Sequence, residues 1–380
     1  MKLETFCYTP QSAWSVASFP PLDSKQTWVI VFGGPDFIDT PEPVFEIIRA
    51  YPNSHVVGCS SSGEIFGTSI SDGSLAVGVI QFEHTTLASI TQPVQVIQES
   101  FAVGQAIAQQ LNQPALRAVF ILSDGLKVNG SELVRGLNTA LPHSVIVTGG
   151  LAGDGDQFKR TWVIKDGSLQ SGFVSAVGLY GDRVKIGHGS RGGWDIFGPE
   201  RLVTRSNSNI LYELDDKPAL QVYKEYLGEH AAGLPGSAFY FPLALRANTS
   251  DPKRVVRTVL AIDEANQAIV SAGDIPQGHL AQLMRGNFDR LVDGAAEAAQ
   301  MTRQQQPEAA PMLSIAVSCV GRRLVLGERT EEELEAACEV LLPGTQQIGF
   351  YSYGEISPHD AGGSCDFHNQ TMTLTTISEA

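Results

Sequence analysis

The feature that most constrains this chain is an apolar run, QTWVIVFGG (26–34), followed by TPEPVFEIIRAYP (40–52) and a second apolar run, SHVVGCS (54–60). The first and last segments have the length and β-branched content of buried strands, and the middle one reads as a helix stopped by Pro52. Strand, helix and strand within about thirty residues make a parallel pair with a right-handed crossover. The same order recurs at LRAVFILSDG (116–125), SELVRGLNTALP (131–142) and SVIVTGGLAGDG (144–155). It recurs again at LSIAVSC (313–319), TEEELEAACEVL (330–341) and QQIGFYSYGEI (346–356). The fold class expected is therefore α/β: two related α/β domains with mixed sheets built on strand–helix–strand units. A chain of 380 residues exceeds the roughly 250–300 that one core usually supports. The stretch 203–230, which turns from strand to helix near Asp215, Asp216 and Pro218, is the natural boundary, giving domains 1–222 and 223–380.

Between these units, residues 73–82 and 85–94 look like an antiparallel pair, and 160–190 like a meander of strands. Residues 99–112 read as an amphipathic helix, and 278–302 as one long helix.

Two of the strand–helix–strand units end in Gly-Glu-Ile, at 63–65 and 354–356. Distant duplication would put both turns at sheet edges, and chance recurrence of a tripeptide explains them equally. Gly58, four residues, then Gly63 is also the spacing of a phosphate loop. The next residue, however, is Glu64, where such a loop needs Lys, so nucleotide triphosphate chemistry is disfavoured. A carboxylate there suits an amine-bearing ligand or a local backbone cap.

Other readings of single residues stay open. Cys59, at a strand end, is a nucleophile only if a base lowers its pKa, and the nearest histidine is His55; the plain alternative is a buried thiol. Asp154 and Asp156 form a DxD pair in GGLAGDG, which either binds a divalent cation or supplies turn hydrogen bonds. The eight histidines include no HxxxH or HExxH motif. His188 lies in KIGHGSRGGWDIFG and reads as an exposed loop residue or a haem ligand; His359 and His368 flank the second Gly-Glu-Ile.

The charge of −15 and pI of about 4.9, with no basic stripe to offset them, argue against nucleic acid and anionic membrane as partners. Five scattered cysteines give neither a disulfide framework nor a CxxC metal pattern, and no apolar run reaches membrane-span length. The start MKLETFCYTPQSAW lacks the apolar core of a secretory signal, so a cytoplasmic location is expected.

Taken together, GCSSSGEIFG (58–67), ILSDG (121–125) and GGLAGDGDQFKRTWVIKDG (149–167) resemble the FIST family, F-box and intracellular signal transduction proteins. LVTRSNSNILYELDDKPALQVYKEYLG (202–228), SCVGRRLVLG (318–327), GFYSYGEISP (349–358) and HNQTMTL (368–374) continue the resemblance in order. It implies neighbouring N-terminal and C-terminal domains, a sensory role, and a small ligand, with amino acids proposed. The ligand-binding residues expected on this basis are Gly58, Cys59, Ser60, Ser61, Gly63, Glu64, Gly150, Gly153, Asp154, Tyr353, Gly354 and Glu355. Members of this size also resemble a haem-binding subset that senses nitric oxide and reports to a histidine kinase or a cyclic-dinucleotide enzyme. That would make haem the cofactor and His188, His359 or His368 its ligand. The resemblance implies no catalysis, the alternative being an enzyme dependent on Cys59, and any output passes to a separate signalling partner.

Overall fold

The computed structural model describes residues 1–306, 312–359 and 364–380. It is α/β with mixed sheets, and its body is one arrangement used three times. Each unit begins with an outer strand: Lys2–Thr9, Thr86–Pro93 and Val184–Arg191, the first of them flanked by the two-residue strand Ala13–Trp14. A first buried strand follows: Thr27–Gly33, Leu116–Ser123 and Leu313–Cys319. A helix then leads to a second strand parallel to the first: His55–Ser60, Ile146–Leu151 and Gln346–Ser352. A return strand ends each unit, antiparallel to the first: Leu75–Gln81, Phe173–Tyr180 and Met372–Glu379.

Between second strand and return strand, the chain leaves its own sheet. The hairpin Glu64–Phe66 with Ser69–Ser71 extends the sheet of the third unit by pairing with Gln346–Ser352. The hairpin Val163–Lys165 with Ser168–Gln170 joins the sheet of the first unit beside Cys59. The hairpin Gly354–Pro358 with Cys365–His368 joins the sheet of the second unit along Gly149–Leu151. The exchange is cyclic: each unit gives a hairpin to one neighbour and receives one from the other, so the body is a closed threefold repeat of one topology.

The inner faces of all three sheets meet in one core. Ile30, Phe32 and Cys59 come from the first, Phe120, Leu122 and Val177 from the second, and Ile315, Val317 and Phe350 from the third. Phe32 stacks on Phe350 with ring centroids 4.6 Å apart, and Trp28 meets Phe120 edge-on at 5.4 Å. Alternating strand residues face outward and are covered by helices. Val44 and Ile47 of helix Glu42–Ala50 cover the first sheet, and helices Ser100–Leu111 and Gly130–Ala140 the second. Helices Phe288–Gln305 and Thr330–Val340 cover the third through Ala295, Ala298, Leu334 and Ala337. The two helices on the second sheet pack backbone to backbone: a Cβ on Gly136 would stand 2.1 Å from the Phe101 carbonyl oxygen.

An antiparallel subdomain is inserted in the third unit, between its outer strand and helix Phe288–Gln305. Its long strand Asp195–Asn207 pairs with Ile210–Leu214 on one side and Leu280–Arg285 on the other. Val203, Leu211, Leu220, Phe241, Ile269 and Leu283 form a core of its own beneath helix Ala219–Leu227.

Several sequence expectations change. Residues 73–82 and 85–94 supply strands to different sheets, and the expected meander over 160–190 is distributed over all three. The helix expected at 278–302 starts only at Phe288, because alternating Leu280–Arg285 runs as a strand. The boundary at 222/223 falls inside helix Ala219–Leu227, and the sheets combine strands from both sides of it.

Candidate functional site

The residues singled out from 58–64, 150–154 and 353–355 converge at the carboxyl ends of the three second strands. There the chains change sheets and are tied by a cyclic set of backbone hydrogen bonds. Ser62 N donates to Tyr351 O at 2.8 Å, Tyr353 N to Leu151 O at 3.1 Å, and Gly153 N to Ser60 O at 3.1 Å. Gly63 turns here with φ +134°, and a Cβ would stand 2.5 Å from Arg323 Nη1. That explains why a crossing against Arg323 carries glycine. Gly58 lies within its strand, Gly150 pairs with Glu355, and Gly354 opens the third hairpin. Ser60 Oγ accepts from Trp162 N at 3.1 Å, stitching the second crossing to the first unit.

Glu64 and Glu355 occupy equivalent registers and have equivalent partners. Glu64 accepts from Ser61 Oγ and from the N–H and Oγ of Ser74, at 2.8 and 2.9 Å. Glu355 accepts from Ser352 Oγ at 2.7 Å and from the N–H and Oγ1 of Thr371, at 3.1 and 2.9 Å. Ser74 and Thr371 immediately precede return strands, so each carboxyl group ties the crossing to the start of its own return strand. Burial pushes Glu64 up to about 7 and Glu355 up to about 8, against hydrogen bonds that favour the charged form. Both glutamates, expected to fix polar groups of a ligand, are engaged by protein donors instead.

Asp154 is similarly occupied. Its carboxylate accepts from Phe158 N, Lys159 N and Arg160 N at 2.8–2.9 Å and from Tyr353 Oη. It therefore acts as a loop clasp, and no group of three or more potential metal ligands occurs among the described residues. Cys59 lies in the shared core with no exposure, and burial pushes its thiol well up, the opposite of what a nucleophile needs. His55 Nδ1 shares a hydrogen bond with Ser89 Oγ at 2.9 Å.

His188, expected in an exposed loop, is buried in strand Val184–Arg191 opposite Thr375. His368 is buried too, with Nε2 2.9 Å from Ser357 O, and its ring centroid is 6.3 Å from that of His359. Burial pushes both His188 and His368 down to about 4. None of these three histidines lines the crevice described next.

That crevice, of about 250 Å³, lies between the strand-end loops and the inserted subdomain. Leu126, Leu151, Phe158, Val320 and Tyr353 face it from the threefold body; Asn209, Phe239, Thr258 and Leu260 face it from the subdomain. Tyr353 is the one sequence-expected site residue among its walls. Its ring stacks on Phe158, centroids 4.6 Å apart and planes 15° from parallel, while its hydroxyl is held by Asp154 and the Gly155 carbonyl. An adjoining hollow of about 510 Å³ shares Ile97, Val128, Asn209 and Ala272. Another hollow, about 340 Å³ beside His55, lies at the amino end of a second strand, away from the usual ligand edge of such sheets.

Sequence reasoning missed the subdomain walls because no local pattern marks them. Phe158 carried a usable signal: a lone aromatic in the polar stretch DGDQFKR.

Among the described residues, no helix is long and apolar enough to cross a membrane. Residues 27–217 match the FIST N domain and residues 219–358 match the FIST C domain. No curated protein matches the chain.

Proposed function

The chain belongs to the FIST family, and from that premise we propose that it is a sensor that binds a small ligand in the crevice between the threefold body and the inserted subdomain. FIST domains are associated with sensory signal transduction and small-ligand binding. The observation that carries the reading is the position of the crevice, at the carboxyl ends of parallel strands and at the junction of two separately cored bodies. The subdomain joins the body through two short connections, residues 192–194 and 286–287, so a ligand held by both sides favours one relative placement. That change is the signal, read in the cytoplasm by a separate partner such as a histidine kinase.

The test is a thermal-shift screen of small molecules on the protein and on Ala272→Phe, which fills the crevice wall. Ligands of this site raise the melting temperature of the unaltered protein and leave that of Ala272→Phe unchanged. Hits that stabilise both equally place binding elsewhere.

A further inference from the structure

The chemistry of the crevice walls says which ligands it can hold. Among the described residues, no charged side chain lines it. Most polar groups of the walls are already used: Asn209 Nδ2 donates to Ser271 O at 2.8 Å, and Tyr353 Oη is held by Asp154. The Cys319 thiol is pushed up by burial and by nearby Glu355, and stays neutral. Glu132, in the adjoining hollow, is paired with Arg135.

One wall hydroxyl stands out. Thr258 lines the crevice at 3% exposure, and its Oγ1 has no hydrogen-bond partner. A buried hydroxyl without a partner is uncommon and marks a place where a ligand group is expected. Around it the walls are apolar, with the stacked Phe158 and Tyr353 as a flat aromatic side. Phe158 and Ile97 are also among the few large apolar side chains left exposed, at 42% and 45%.

We propose that this crevice takes a neutral, flat, mainly apolar molecule carrying one N–H or O–H group, and that it rejects free amino acids and other ions. The inference rests on the crevice being the binding site. A zwitterion would bring two charges into walls that offer neither a cation nor an anion, and such desolvation outweighs the gain from burying its side chain. A neutral ring keeps the apolar contact, and rotation of the Thr258 side chain turns Oγ1, which has almost no open surface in this structure, toward the ring's polar group.

Indole and L-tryptophan test this directly, because they share a ring and differ by the charged backbone. Binding to the full chain is measured by calorimetry and thermal shift. Indole is expected to bind and raise the melting temperature, and tryptophan at equal concentration to do neither. Thr258→Val is expected to weaken indole about threefold to tenfold, the value of one neutral hydrogen bond. It should leave the fold intact, since the hydroxyl has no partner in the protein. Tryptophan binding as tightly as indole, with Ala272→Phe blocking both, would overturn the ligand class and leave the site standing. Indole binding untouched by Ala272→Phe would overturn the site itself, and failure of indole to bind would overturn the class.

Discussion

The first and third crossings each bury a glutamate; the second does not. At the position equivalent to Glu64 and Glu355, opposite Cys59, the second crossing has Val163. The task passes to Asp124, at the end of the first strand of that unit, which accepts from Gly172 N at 2.7 Å and Ser171 Oγ at 2.9 Å. It also accepts from Leu126 N and Lys127 N, both at 2.8 Å. The fold requires an acceptor for the N–H that opens each return strand, and any nearby strand end can supply it. The second crossing is also much longer, running from Ala152 to Trp162 where the first needs only Ser61 to Gly63. That extra chain carries Phe158. The crevice is thus built where the molecule departs from its own symmetry: at the lengthened crossing of one unit and the subdomain inserted in another.

The largest expected effect is the pH dependence of the two glutamate crossings. Glu64 and Glu355 have folded-state pKa values raised above the usual carboxylate range, so the folded protein binds more protons than the unfolded chain. Their contribution is fully present below about pH 4.5 and is lost as pH rises through about 7 for Glu64 and about 8 for Glu355. For Glu64 the change is on the order of 3 kcal/mol. Urea unfolding from pH 5 to 8.5 should show stability falling, and the double variant Glu64→Gln/Glu355→Gln should show a flatter profile. An unchanged slope would mean that these groups do not titrate as a pair of buried acids.

Asp124→Asn comes next. Replacing one acceptor oxygen by an amide donor leaves buried N–H groups unpaired, at about 1–3 kcal/mol. Denaturant titration at fixed pH should show that loss. A silent substitution would mean that the second unit does not depend on the substitute clasp.

The smallest effect is expected for an arginine contact at the first crossing. Arg323 donates to Ser62 O and pairs with exposed Asp72 at 2.7 Å. Asp72→Asn should cost no more than about 1 kcal/mol, since exposed pairs contribute little. A larger loss in thermal unfolding would show that the first crossing is held from outside as well as by Glu64.

The repeating part of this architecture was legible in the sequence. All three strand–helix–strand units stand out by apolar runs, and the glycines and acids of the crossings mark where chains meet. The exchange of hairpins was hidden, because Glu64–Phe66 and Gly354–Pro358 look like continuations of the strands before them. Nothing local states that a strand pairs with a unit hundreds of residues away. The same limit explains the strands of 160–190, each of which alternates normally and could pair in a simple meander. His188 was misplaced because glycines on both sides suggested a loop. They serve close packing instead: a Cβ on Gly189 would stand 2.0 Å from the Ala298 carbonyl oxygen. The crevice walls from the subdomain, Asn209, Thr258 and Leu260, lie on ordinary alternating or turn segments and come together only in three dimensions.

The cyclic exchange of hairpins has a consequence for how this protein can be taken apart. Cutting between the two family-defined regions, at 217/219, would not yield two smaller proteins. The N-terminal fragment would keep Glu64–Ser71 as a flap with no sheet to join, and its second sheet would lose the outer pair supplied by residues 354–368. The C-terminal fragment would expose the open edge of strand Gln346–Ser352. Unpaired edges of that kind invite association with other chains. Like a three-legged stool whose rungs are mortised in a circle, the body stands only when the last joint is closed, and it is released as one piece when any joint opens.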